Sequence, residues 1–216
     1  MDVLSHTHED AKHESVKSVA VGATNFKVGV LNNVDLQIVV ETYRIQKTTN
    51  RDTGSSRSSG FGGVTLRSKI NLWGNDSGPT ALSAMPFLKI PIAADDFGNG
   101  AVEGGLIFPF AMELPCEWGL GAQIEVDHFR NSDLSGYHQE FSHTVTVSHD
   151  IAGNLGGYVE LFNNVSNESH SAWIATFDFG FTYAVSRNVQ LDAGMNIGLT
   201  EDADDFNPFL GLSMRY

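Results

Sequence analysis

Residues 188–200, NVQLDAGMNIGLT, alternate apolar and polar side chains without a break. Val189, Leu191, Ala193, Met195, Ile197 and Leu199 form one set; Gln190, Asp192, Gly194, Asn196 and Gly198 form the other. Successive side chains of a strand point to opposite faces of its sheet. A chain that repeats such a pattern is therefore committed to sheets with one oily and one wet face. The pattern does repeat, in WIATFDFGFTYAV (173–185), WGLGAQIEVD (118–127) and the closing FLGLSMRY (209–216).

Eleven strands can be read this way, near 17–30, 34–45, 62–73, 79–92, 103–114, 118–129, 137–149, 154–165, 171–185, 188–200 and 207–216. Soluble strands average about 5–6 residues. Most of these are about twice that, close to the roughly 9–11 residues a tilted strand needs to cross a bilayer. Short turns at 32–33, 74–78, 115–117, 152–153 and 187–188 alternate with longer polar loops at 46–61, 93–102, 130–136, 166–170 and 201–206. Short turns on one side and long loops on the other are the pattern of an outer-membrane barrel. Loop 46–61 reads as the most flexible segment, rich in Ser, Thr and Gly.

Composition narrows the alternatives. A net charge of −13 argues against a nucleic-acid partner. A single cysteine, Cys116, leaves no internal disulfide. No apolar run approaches the roughly 20 residues of a membrane-spanning helix, which says nothing against strands. In hydrocarbon every unpaired backbone group is costly, so only a helix or a closed barrel can span. The sequence therefore predicts an all-β protein, an antiparallel transmembrane β-barrel of about twelve strands, with residues 17–216 as one barrel domain and 1–16 as a polar N-terminal segment. The competing reading is a soluble, lipocalin-like barrel with its apolar face inward. Against it, the polar faces are built of Gly, Ser, Thr and Asn rather than the mixed charges of a soluble surface. The apolar faces also carry too many rings for one small interior.

With the apolar face outward, the lumen receives Lys27, Arg67, Lys69, Lys89 and Arg215 together with Glu41, Glu113, Glu125, Asp127, Glu140, Glu160, Asp178 and Asp192. Unpaired buried charge is expensive, so these groups must either pair or stay wet. One reading is a structural ion-pair network; the other is a polar passage in which the acidic excess favours cations. Trp118, Tyr183 and Tyr216 near short turns and Trp173 near a long loop are placed to sit at the two lipid interfaces. Pro86, Pro91 and Pro109 fall within strand patterns, where proline removes a ladder donor. A bulge or strand end is the expectation there, and a kink opening the wall toward lipid is the alternative. His6, His8 and His13 read as a solvated segment, and His143 as an outward residue with no evident partner. No catalytic group, metal site or cofactor is assigned.

The segments LRSKINLWG, FLKIPIA, GNGAVEGGLIFPF, WGLGAQIEVD, YVELFNNV, DFGFTYAVSRNVQLDAGMNIGLT and DDFNPFLGLSMRY resemble the bacterial outer-membrane family named for the meta-pathway of phenol degradation. The resemblance runs from residue 25 to the end. It implies a barrel of about a dozen strands that transports hydrophobic or aromatic compounds. The ending LSMRY, with an aromatic last residue and apolar residues two and four before it, resembles the terminal signature read by barrel assembly machinery. The expected setting is therefore the outer membrane, with its lipids and that machinery as partners and a small solute of unknown identity as cargo. Transport by passive diffusion is the leading expectation; a sealed structural or adhesive barrel is the alternative.

Bacterial barrels close with an even number of strands. Eleven would pair 17–30 with 207–216 in parallel. MDVLSHTHEDAKHES shows no basic start and no apolar stretch of a signal peptide. The expectation is thus that residues 1–16 are an outer loop and that a first strand and leader lie upstream of a truncated start.

Overall fold

The long alternating segments become long strands because each has one face that can meet hydrocarbon while its backbone is fully paired by neighbours. A computed structural model describes residues 2–10, 14–50, 54–74, 78–169, 171 and 173–216. Its strands are β1 (Asp2–Asp10), β2 (Glu14–Leu31), β3 (Val34–Asn50), β4 (Gly54–Gly60), β5 (Gly63–Trp73), β6 (Thr80–Ile90), β7 (Glu103–Glu113), β8 (Gly119–Arg130), β9 (Tyr137–Ala152), β10 (Leu155–Ser166), β11 (Trp173–Ser186), β12 (Val189–Gly198) and β13 (Phe206–Met214). A 3-10 turn, Pro115–Glu117, joins β7 to β8.

All the strands belong to one antiparallel sheet. Each pairs with its sequence neighbour, except that β4 pairs only with the outer end of β3, and β3 passes on to β5. β1 pairs with both β2 and β13. The sheet therefore closes into a twelve-strand barrel, with β4 as a flap above it.

This closure corrects the reading of the N-terminus. Asp2–Asp10 is not part of an outer loop but the strand that makes the count even, and β2 already begins at Glu14. DVLSHTHED carries no regular apolar face, so alternation gave no signal there. His6 and His8 lie in β1, and His8 meets Phe206 edge-on at 5.3 Å between ring centroids. His13 lies outside the described residues. Segment 46–61 likewise differs from the flexible loop expected. β3 continues to Asn50 and β4 runs back beside it, from Asn50 opposite Gly54 to Arg44 opposite Gly60, with 51–53 outside the described residues.

Burial settles which face points where. Outward-facing Phe26 is 64% exposed, Ile124 62% and Leu191 48%, whereas inward-facing Asp127 and Asp178 are 4% and 7% exposed. Small residues opposite large ones let the interior fill. The ring of Tyr158 lies over Gly180 and that of Phe209 over Gly194, where a Cβ would come within 2.7 and 2.5 Å of them.

Two features break the regular wall. Gly22 adopts a left-handed φ of +72°, and the Thr42 hydroxyl donates to the Val21 carbonyl at 2.6 Å. On either side of this point the inward set changes: Ser18 is buried above it, Gln37 opposite Lys27 below it. The second feature is β6. The β5–β6 ladder is interrupted between Arg67/Phe87 and Ile70/Ala84, where Pro86 offers no N–H. The β6–β7 ladder is interrupted between Leu82/Phe110 and Met85/Ile107, where Pro109 offers none. Only Pro91 sits at a strand end, as one expectation had it for all three.

Candidate functional site: the charged lumen

In ring order, β2, β3, β5 and β6 are contiguous, and so are β8 to β12 across the barrel. The first wall carries Lys27, Arg44, Arg67, Lys69 and Lys89, with Asp35 and Glu41 among them. The second carries Glu125, Asp127, Glu140, Glu160, Asp178 and Asp192. A wall with a basic excess thus faces an acidic one across the interior. Each acid on the second wall faces inward through the cross-strand register, Asp127 opposite Glu140 and Glu160 opposite Asp178.

Local partners are specific. Glu125 accepts from Gln123 Nε2 at 3.1 Å. Glu140 accepts from Asn164 Nδ2 at 3.1 Å and sits 3.1 Å from His138 Nε2. Glu160 accepts from the Thr146 hydroxyl. Lysine–carboxylate ion pairs among the described residues lie toward the barrel ends. Lys27 Nζ is 2.8 Å from Asp35 beside a short turn, and Lys89 Nζ is 3.1 Å from Glu103 beside a long loop. Between them, Arg67 Nε, Asp127 Oδ1 and Asp178 Oδ1 are buried without a hydrogen-bond partner.

The interior is not filled. A cavity of about 750 Å³ opens at the short-turn end, where Glu113, Ser148, Asp150, Tyr158 and Thr182 line it. A second, of about 220 Å³, lies nearer the long loops and is lined by Glu41, Arg67, Phe87, Lys89, Glu125 and Phe129 among others. Outside, a largely apolar hollow of about 1030 Å³ crosses the wall. Small residues Ser68, Pro86 and Gly104 lie along it, with Phe26, Leu66, Leu88 and His128 around them. It thus coincides with the β5–β6 ladder interruption.

The outer mouth is organised by loops. Arg44 donates from Nε to the Ser18 hydroxyl at 3.3 Å, and its guanidinium lies 5.6 Å from the Phe97 ring centroid in the β6–β7 loop. Asp204, in the β12–β13 loop, also feels the Arg44 charge, but burial outweighs it and raises the Asp204 carboxyl above its ordinary value. Glu168 accepts from the Ser132 amide at 2.7 Å and its hydroxyl at 2.8 Å. These bonds hold the Glu168 carboxyl below the usual range and tie the β8–β9 loop to the β10–β11 loop.

Arg215 is the exception among the lumen candidates. It lies past the end of β13, exposed, with Nη2 3.5 Å from the Arg187 carbonyl, so it belongs to a short turn rather than to the passage. Glu113 is at the short-turn mouth. The interface aromatics are exposed: Trp173 donates from Nε1 to Asn163, Trp118 stacks on His149 at 4.5 Å, and Tyr183 and Tyr216 project freely at the short-turn end. Sequence reasoning missed the inward rings Phe87, Phe129, Tyr158, Phe162 and Phe209, and missed Arg44. The rings were signalled by glycine at the paired position, Gly105 for Phe87, Gly180 for Tyr158 and Gly194 for Phe209. Ser142 faces inward and accepts from Asn164, while neighbouring His143 is exposed on the outer face. Among the described residues no cluster of His, Cys, Asp and Glu is arranged to hold a metal ion.

The family described as "Putative MetA-pathway of phenol degradation" matches residues 7–216. The chain belongs to this family. As a family member it shares its fold with an outer membrane channel of the COG4313 group from Pseudomonas putida F1. That match has 12% identity and a TM-score of 0.69, and covers 98% of this chain and 92% of that one. It also resembles the NanC porin, at 8% identity and a TM-score of 0.62, over 99% and 98% of the two chains. No match was found among curated proteins.

Proposed function

We propose that this family member is a passive diffusion channel for small molecules in the outer membrane of a Gram-negative bacterium. The observation that carries this reading is the state of the lumen charges. A sealed barrel requires them to be spent on one another. Here the ion pairs between lysine and carboxylate among the described residues lie toward the ends, mid-lumen Arg67, Asp127 and Asp178 keep unpartnered atoms, and a cavity remains beside Arg67. Groups of this kind are stable when wetted, and a lumen wetted from end to end conducts.

Two features support apolar or aromatic solutes as cargo. Inward rings, Phe87 and Phe129 among them, offer surface for an apolar body beside the charges. The apolar hollow outside the proline-interrupted wall offers a resting place for solutes dissolved in the bilayer, next to the interrupted β5–β6 ladder. Outer-membrane lipids would cover the exposed apolar belt, and Tyr216, two residues past the end of β13, would present the aromatic terminus to the assembly machinery.

The refolded barrel in a planar bilayer tests the reading. Discrete conductance steps in potassium chloride are expected. A folded, heat-modifiable barrel that inserts and passes no current contradicts a channel and favours a sealed structural role.

A further inference from the structure

The cavity between β3, β5, β6 and β8 has a composition that ordinary solvation of a pore does not require. Arg67 and Lys89 face it from one side; Glu125 faces it from β8 and Glu41 from β3. Arg67 and Glu125 attract one another across it without forming an ion pair at contact distance among the described residues. Arg67 Nε is buried and lacks an acceptor. Phe87 and Phe129 supply apolar walls. Lys89 is already paired with Glu103, so the lining leaves one cation, Arg67, between two carboxylates, Glu41 and Glu125.

We propose that this cavity is a binding site for a small zwitterion bearing an apolar group, an amino-acid-like molecule. A carboxylate on the ligand answers the Arg67 guanidinium that lines the cavity, in the charge-assisted geometry that guanidinium favours. An ammonium group answers Glu125 and Glu41. The apolar part lies against the two phenylalanine rings, where an ammonium also gains from a ring face. A simple anion leaves the two carboxylates unanswered and a simple cation leaves Arg67 unanswered, and buried unanswered charge is penalised. The volume, about 220 Å³, is roughly seven waters' share of liquid and suits a molecule of that size rather than a peptide or a lipid.

The site deepens the channel reading, since such a ligand would be a solute caught in passage, but binding is measurable without conduction. The folded barrel in detergent is titrated calorimetrically with three probes of similar shape: L-phenylalanine, phenylacetate and phenethylammonium. Phenylalanine is expected to bind at least tenfold more tightly than either singly charged probe. Arg67→Gln should shift the preference toward phenethylammonium and Glu125→Gln toward phenylacetate. Glu201→Gln, in an exposed outer loop, should change nothing. Heat-modifiable gel migration confirms that each variant is folded, and Arg67→Met serves if Arg67→Gln is not. Equal affinity for the three probes, no binding of phenylalanine, or a preference that neither substitution moves overturns the proposal. Conductance of the same preparation is recorded separately: its absence removes the channel reading and leaves the binding result standing.

Discussion

Glycine at residue 194 shows how tightly the interior is fitted. A Cβ there would come within 2.5 Å of the Phe209 ring and 2.6 Å of the Phe179 carbonyl oxygen, so ring and backbone would both have to move. Gly194→Ala is expected to destabilise the barrel by about 1–3 kcal/mol, the usual range for forced overpacking. Gly121 is a fitting contrast, because its nearest neighbour, Thr146 Cβ, would lie at an ordinary 3.6 Å. Gly121→Ala should be nearly neutral. Unfolding midpoints read from heat-modifiable migration separate the two, and equal effects would contradict the packing described. At this scale the sequence was only half legible. The inward carboxylates Asp127 and Asp178 follow from simple alternation. Arg44 does not, because counting by twos from Glu41 puts it on the lipid side, and only the left-handed Gly22 beside Thr42 reverses that count.

Among the elements, β6 stands apart. Its ladder to β5 is interrupted at Pro86 and its ladder to β7 at Pro109, so its middle is held by fewer hydrogen bonds than other strands of the wall. Pro86→Val restores the N–H that faces Ser68. A gain of about 0.5–1.5 kcal/mol in barrel stability is expected, as for one added backbone hydrogen bond. Passage of apolar solutes should slow if they cross at this seam. A Pro86→Val barrel no more stable than the parent would show that the seam is not short of a bond. Long strands such as β11 and β12 were legible because hydrocarbon enforces alternation along their whole length. β1 and the β3–β4 extension were not. DVLSHTHED and GSSRSSG have no apolar face to reveal them, and they are strands because neighbouring strands offer backbone partners.

For the whole molecule, the closed ring explains features that no element explains alone. Closure through β1 removes the free edges on which a sheet in lipid would fail. It also brings the basic wall of β2 to β6 opposite the acidic wall of β8 to β12, an arrangement invisible in the linear order of residues. All of this depends on the apolar face meeting hydrocarbon. Spin labels placed one at a time along β12, from Val189 to Gly198, in barrels reconstituted into bilayers, test that directly. Labels at 191, 193, 195 and 197 should be accessible to oxygen dissolved in lipid and shielded from a water-soluble nickel chelate. Labels at 190, 192, 194 and 196 should show less oxygen contact. The reverse pattern, or accessibility with no period of two, would contradict the account.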